Sequence, residues 1–206
     1  MTRPTDISRP HVFKAGNKKT LILLHGTGAD ENDLVPLGQM LIPGASILSP
    51  RGMNVEEGMN RFFARNPDGS FVQDSLVQSI GELVSFFNAA QNEYSLEFST
   101  AYAVGFSNGG NTALALLLSN PDSIAGVVAF GATNPMPQLD QFPDLSGKKV
   151  FIANGVQDSY APEEVTAGLV EMLRQSGAEV TWLSHPGGHS IANDHVAEIA
   201  RQLQAT

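Results

Sequence analysis

The sequence predicts an α/β domain, a mostly parallel central sheet covered by helices on both faces, and three observations carry that reading. Short apolar runs alternate with longer amphipathic stretches, the pattern of successive strand–helix–strand units. The apolar runs are continuous rather than alternating, as in strands buried on both faces. No internal repeat or low-complexity linker interrupts the 206 residues, a length that suits a single domain spanning 1–206 with a substantial core.

The chain opens on a polar leader, residues 1–18, which can add an edge strand. It has no apolar targeting run, and no later segment approaches a membrane span, so a cytoplasmic location is expected. Thr20–Leu24 is the first buried strand, ended by the turn Gly26-Thr27-Gly28. Further strands are expected at Ser46–Leu48, Ala101–Val104, Gly126–Phe130, Val150–Ala153 and Glu179–Leu183. Helices are expected around Leu34–Leu41, Asp74–Gln91, Gly109–Leu118, Pro162–Gln175 and Ser190–Leu203. In the second of these, Leu76, Ile80, Leu83, Val84 and Phe87 recur at three- and four-residue spacing, one apolar stripe to set against a sheet. Pro162 suits the first turn of its helix, where a missing N–H is no loss.

Composition narrows the function classes. Hydrophobic residues make up 42% and charged residues 16%, an ordinary globular balance. A formal charge of −9 argues against nucleic acid or an anionic membrane as partner, since both need basic patches. With no cysteine, disulfides, thiolate nucleophiles and Cys-ligated zinc are excluded.

In parallel sheets, sites gather beyond the C-terminal ends of the strands. One segment there carries chemistry: Gly105-Phe106-Ser107-Asn108-Gly109, set between an apolar strand and the helix-forming run Thr112–Leu118. A strand that turns at once into a helix tolerates only small residues beside the turn. The two glycines meet that need, so the Ser107 hydroxyl is exposed as a nucleophile and the Asn108 N–H is aimed at a developing oxyanion. A serine hydroxyl needs a base, and imidazole suits that role near neutral pH. Among the five histidines, His189 is the choice, in the turn Pro186-Gly187-Gly188-His189-Ser190 ahead of a helix. His185, at the end of the preceding strand, is the runner-up. His11 falls in the leader, and His195 falls on the last helix, on a solvated face. His25 follows a strand directly and reads as a buried ring that shapes the next loop. The anion that orients the base is Asp158, in Asn154-Gly155-Val156-Gln157-Asp158, whereas Asp140 and Asp144 are turn residues and Asp194 lies near a helix start. The second oxyanion donor is the Thr27 N–H, in the glycine-containing loop after the first buried strand. Asp30, Glu31 and Asp33 lack the twelve-residue calcium pattern and are read as helix capping and first-turn acidity.

Taken together, Leu24–Leu34, Ser49-Pro50-Arg51-Gly52, Gly105–Gly109, Asn154–Asp158 with Pro162, and Gly187-Gly188-His189 resemble the phospholipase/carboxylesterase family over nearly the whole chain. The resemblance implies an α/β-hydrolase fold without a large cap domain and a serine hydrolase with Ser107 as nucleophile, Asp158 as acid and His189 as base. It also implies backbone donors at Thr27 and Asn108 and no cofactor or metal. Thr27 stands where the thioesterases of the family carry leucine, so the chain is similar to the bacterial carboxylesterase branch, and a small carboxylic ester is the expected substrate. Other acyl bonds, in thioesters or lysophospholipids, use the same chemistry, and a catalytically silent binding module is the second class of function. In that branch the segment Arg61-Phe62-Phe63-Ala64-Arg65 lies near the acyl pocket, so Phe63 is a pocket candidate, with Gly28 and Tyr160, and core packing of the aromatics is the competing reading. With little chain to spare for a lid, the site is expected to be open and shallow and to favour short acyl groups. Dimers are common in the family, although no apolar stripe in this sequence demands one.

Overall fold

The computed structural model describes residues 6–16 and 19–205; residues 1–5 and 17–18 of the leader, and residue 206, lie outside the described part. In chain order the elements are β1 (His11–Lys14), β2 (Thr20–Leu24), α1 (Val35–Leu41), β3 (Ser46–Pro50), β4 (Asn54–Glu56), β5 (Met59–Arg61), α2 (Gln73–Tyr94), β6 (Tyr102–Phe106), α3 (Asn108–Ser119), β7 (Gly126–Phe130), β8 (Lys149–Gly155), α4 (Glu163–Gln175), β9 (Glu179–His185) and α5 (Asn193–Gln204). Seven strands form one sheet in the order β1-β3-β2-β6-β7-β8-β9. All its pairings are parallel except that of the edge strand β1, which runs antiparallel to β3.

The period-two geometry of strands divides the core. Ile22 and Leu24 of β2 face the layer packed by α2, α3 and α4, while Leu21 and Leu23 face the layer packed by α1 and α5. The helix α2 buries Leu76, Ile80, Leu83, Phe86, Phe87 and Ala90, an extension of the stripe visible in the sequence. Helix α3 is buried at every residue from Asn108 to Leu118, so it is held on all sides rather than along one stripe.

Strands β3, β6, β8 and β9 each run two residues beyond the apolar run that predicts them, to Pro50, Phe106, Gly155 and His185. The ladder is a backbone property and continues into polar side chains once neighbouring strands are in register. Helix α5 starts at Asn193, three residues later than Ser190, because the intervening chain is used to shape the loop that carries His189.

Two local expectations fail. The acidic residues after β2 neither cap α1 nor fill its first turn. Asp30 Oδ1 instead accepts from the Asn32 N–H at 2.8 Å, and Glu31 holds Arg51 through paired contacts to Nε and Nη2 at 2.5 and 2.7 Å. Pro36 in the first turn fixes where the helix begins, leaving these side chains upstream of it. The second failure is the ribbon β4–β5, which pairs antiparallel around a Glu57-Gly58 turn with both residues at positive φ, 51° and 77°. Its polar three-residue strands have no apolar signature, although the turn geometry is one that hairpins favour.

Candidate active site

The elbow forms as its sequence requires. Ser107 sits between β6 and α3 at φ 54° and ψ −117°, a strained backbone for a residue with a side chain. Its N–H donates to the Phe130 carbonyl at 2.9 Å, which fastens the turn to the end of β7. A Cβ on Gly109 would overlap the Leu24 carbonyl, and one on Gly105 would overlap Gly109, so both glycines are demanded by close backbone approach.

Asp158 and His189 meet across the ends of β8 and β9. His189 Nδ1 donates to Asp158 Oδ2 at 2.7 Å, and Asp158 Oδ1 accepts from the N–H groups of Tyr160 at 2.9 Å and Ala161 at 3.3 Å. With its carboxylate fully buried, Asp158 places a charge at Nδ1, so the neutral ring keeps its proton there and leaves Nε2 as an acceptor. The ring is packed between Phe106 and Tyr160, each 4.9 Å away by ring centroid. It also lies over Gly131, where an added Cβ would come within 2.9 Å of its Cε1. The ring thus touches the residue before Ser107, Phe106, and the residue after the carbonyl that holds the Ser107 N–H, Gly131. Among the described residues no hydrogen bond is closed from the Ser107 hydroxyl. Such bonds commonly tighten only when substrate is bound.

Thr27 and Asn108 line the cleft with Ser107. Asn108 is the first residue of α3, where an N–H has no intrahelical acceptor. In the loop after β2, Gly28 and Ala29 donate to Asn60 and Gly26, which leaves Thr27 as the loop residue that lines the Ser107 cleft. His25 is buried, with Nδ1–H donating to the Gly26 carbonyl at 2.7 Å and Nε2 accepting from the Gly52 N–H at 2.9 Å. Burial depresses its basicity, and the ring acts as a neutral brace for this loop.

The cleft beside Ser107 has a volume of only about 20 Å³ and opens onto a larger surface groove of about 880 Å³, with Arg61, Arg65 and Tyr160 shared between them. Of the expected pocket residues, Tyr160 lines the cleft. Phe63 does not: it is fully buried and packs edge-on against Phe71, and Phe71 forms the cleft wall instead. Gly28 also falls outside, facing Met59 and a separate shallow concavity. In the segment Arg61–Arg65 the two ends reach the cleft and the aromatics between them enter the core.

Several side-chain contacts that sequence reasoning passes over position the site. Asn108 Oδ1 accepts from the Phe62 N–H at 2.7 Å, tying the elbow to the chain that carries Arg61. Asn111 Oδ1 accepts from the Thr133 N–H, and Asn154 bonds both backbone groups of Ala132, so amides lock the turn after β7. His185, the alternative base, accepts from the Gly187 N–H at Nδ1 and donates from Nε2 to the Ser190 carbonyl at 3.2 Å. It braces the His189 loop rather than facing the cleft. His195, expected on a solvated face, is 8% exposed, with its ring centroid 5.2 Å from that of His185. The polar periodicity of α5 conceals this contact with the end of β9. Among the described residues no group of three or more His, Asp or Glu is arranged to hold a metal ion, and no helix is long and apolar enough to cross a membrane.

The comparisons with known proteins agree with this architecture. The Phospholipase/Carboxylesterase family model matches residues 13–206. MhqD of Bacillus subtilis (strain 168) is 36% identical over 193 residues, which span 93% of this chain and 96% of that protein. The crystal structure of a Bacillus cereus carboxylesterase superposes with a TM-score of 0.92 at 34% identity, covering 96% of this chain and 94% of that one. The structure of YahD with malic acid gives a TM-score of 0.91 at 30% identity, covering 96% and 99% of the two chains. With its α/β-hydrolase fold, the chain belongs to the phospholipase/carboxylesterase family and is a hydrolase.

Proposed function

We propose that the protein is a serine carboxylesterase acting on short-chain carboxylic esters through Ser107, His189 and Asp158. Its main support is the 2.7 Å bond from His189 Nδ1 to Asp158, which leaves Nε2 as the acceptor on a ring packed against Phe106, the residue before Ser107. In this mechanism Nε2 takes the Ser107 proton as the hydroxyl oxygen attacks the ester carbonyl. The N–H groups of Thr27 and Asn108 stabilise the oxyanion, and His189 H⁺ then protonates the departing alcohol. Water attacks the acyl-enzyme by the same route and releases the acid. The small cleft volume and the Phe71 wall favour a short acyl chain.

Labelling with a fluorophosphonate, compared between the parent enzyme and Ser107→Ala, tests the nucleophile. Stoichiometric labelling that vanishes in the variant is expected, and full labelling of Ser107→Ala would reject the assignment. A panel of acetyl, butyryl and octanoyl esters, each with its matching thioester, tests the substrate. Highest kcat/KM on the shortest oxygen esters is expected, and a preference for octanoyl esters or for thioesters contradicts it.

A further inference from the structure

The charge lining the cleft is the reverse of the charge on the protein. The chain carries a formal −9, yet the charged side chains that line the cleft with Ser107 are Arg61 and Arg65, and the acids of the wider groove, Glu56, Glu57 and Asp68, lie outside it. Arg61 is 7% exposed, and a guanidinium has five N–H donors to satisfy. Among the described residues its ion pair is a 3.3 Å contact from Nη1 to Glu56. Its Nε is sealed from solvent and has no hydrogen-bond partner among the described residues. A buried cation short of acceptors is costly, and a fold keeps one most readily where a ligand supplies the missing oxygens. Burial lowers the proton affinity of Arg61, Glu56 offsets part of that, and the nearby Arg65 cation lowers it further. Arg65 is itself held by the Gly69 carbonyl at 3.0 Å and lies 5.4 Å from the centre of the Tyr160 ring.

Resting on the esterase reading above, we propose that the natural substrate is an anionic ester, one with a carboxylate a few bonds from the scissile carbonyl, and that Arg61 receives this carboxylate with Arg65 as the supporting charge. The guanidinium fork matches a carboxylate in shape, and the low dielectric beside a buried group strengthens the pairing. A neutral ester of the same size leaves Arg61 with Glu56 alone and binds less well.

The test compares matched esters, each with its uncharged methyl-ketone isostere. One pair is monoethyl glutarate, with the charge on the acyl half, and the other is the acetyl ester of hydroxypropanoate, with the charge on the alcohol half. The ratio of kcat/KM, anionic over neutral, cancels differences in folded fraction because both are measured on the same sample. The parent enzyme is expected to favour the anionic member of at least one pair by about tenfold or more, the range of a charge-assisted hydrogen bond. Arg61→Gln should bring that ratio near unity, and Arg61→Lys should retain part of it. A ratio at or below one in both pairs overturns the proposal, as does a preference that survives Arg61→Gln unchanged. If no ester is turned over, the esterase reading has failed by itself. Calorimetry of the intact Ser107→Ala protein then decides the anion site: monoethyl glutarate binding more tightly than its isostere supports it, and equal or absent binding rejects it.

Discussion

Asp158 holds His189 by one carboxylate oxygen while the chain holds Asp158 by the other. Oδ2 accepts the His189 Nδ1–H at 2.7 Å, and Oδ1 accepts from Tyr160 and Ala161. The His189 ring is thus oriented by a carboxylate that the backbone after it has already immobilised. Asp158→Asn keeps an acceptor for the two backbone N–H groups but turns an amide NH₂ toward Nδ1. The ring must then switch its proton to Nε2, where a base needs a lone pair. Esterase turnover is expected to fall by about 10³–10⁴-fold with the far-ultraviolet circular dichroism unchanged. Turnover near the parent value would mean that another acid orients the ring.

Gly131→Ala is expected to damage activity more than stability. Its φ of 56° disfavours a side chain, and the new methyl would press on His189 and Phe106. The backbone cost is about 1–2 kcal/mol, whereas displacing the base by a fraction of an ångström should reduce kcat/KM by about 10–100-fold. Thermal melts and steady-state kinetics on the same preparation separate the two effects.

Asn108→Leu removes the acceptor for the Phe62 N–H inside the core. A buried donor left unpaired costs about 1–3 kcal/mol, measurable by urea unfolding. Asn108→Asp keeps that acceptor and should be the milder change. Equal losses in the two variants would show that the side chain acts by bulk alone.

Phe71→Ala should lengthen the acyl group the enzyme accepts. Phe71 walls a cleft of about 20 Å³, and each methylene in such a pocket is worth about tenfold or more in selectivity. The ratio of kcat/KM for hexanoyl over acetyl esters is expected to rise by about tenfold. An unchanged ratio would place the acyl chain elsewhere.

Acidification through the imidazole range should destabilise the fold. Burial lowers the basicity of His25 and of His195, so the folded chain takes up protons on them less readily than the unfolded chain. As pH falls below the ordinary imidazole value of about 6.5 the unfolded state binds the extra protons, and stability declines until the depressed folded values are passed. Glu198, held down at about 2 by Arg201 and Gln202, plays no part in that interval. Denaturant midpoints should drop between about pH 7.5 and about pH 5.5, and the drop should shrink in His195→Gln. A midpoint that rises over this interval would contradict the assignment.

The alternation of apolar runs makes the sheet legible in the sequence, because burial on both faces of β2, β6, β7 and β8 leaves few polar residues to obscure it. The residues of the elbow and Asp158 are legible for a related reason, since each comes just after such a strand, and His189 is marked instead by the glycine turn that follows β9. The polar ribbon β4–β5 is not. Its strands are short and half-exposed, so neither periodicity nor composition marks them. The same gap explains Phe63 and Arg61. Two aromatics suggest a pocket, but one fills the core against Phe71, and the charged residue two positions earlier reaches the cleft. Sequence distance does not reveal which end of a segment turns inward. The amide braces of Asn108, Asn111 and Asn154 are invisible for a third reason, since a side chain's partners are set only when distant turns come together.

Strand β7 supplies no side chain to the proposed chemistry, yet it lies between β6, which delivers Ser107, and β8, which delivers Asp158. Its terminal carbonyl, on Phe130, takes the Ser107 N–H, and the next residue, Gly131, sits under the His189 ring. The strand works as a gauge block between two machined faces, fixing the gap by the spacing of its own backbone. Such a spacer can exchange its buried side chains for others of like volume without retuning the reaction, provided that its last carbonyl and the bare backbone after it stay where they are.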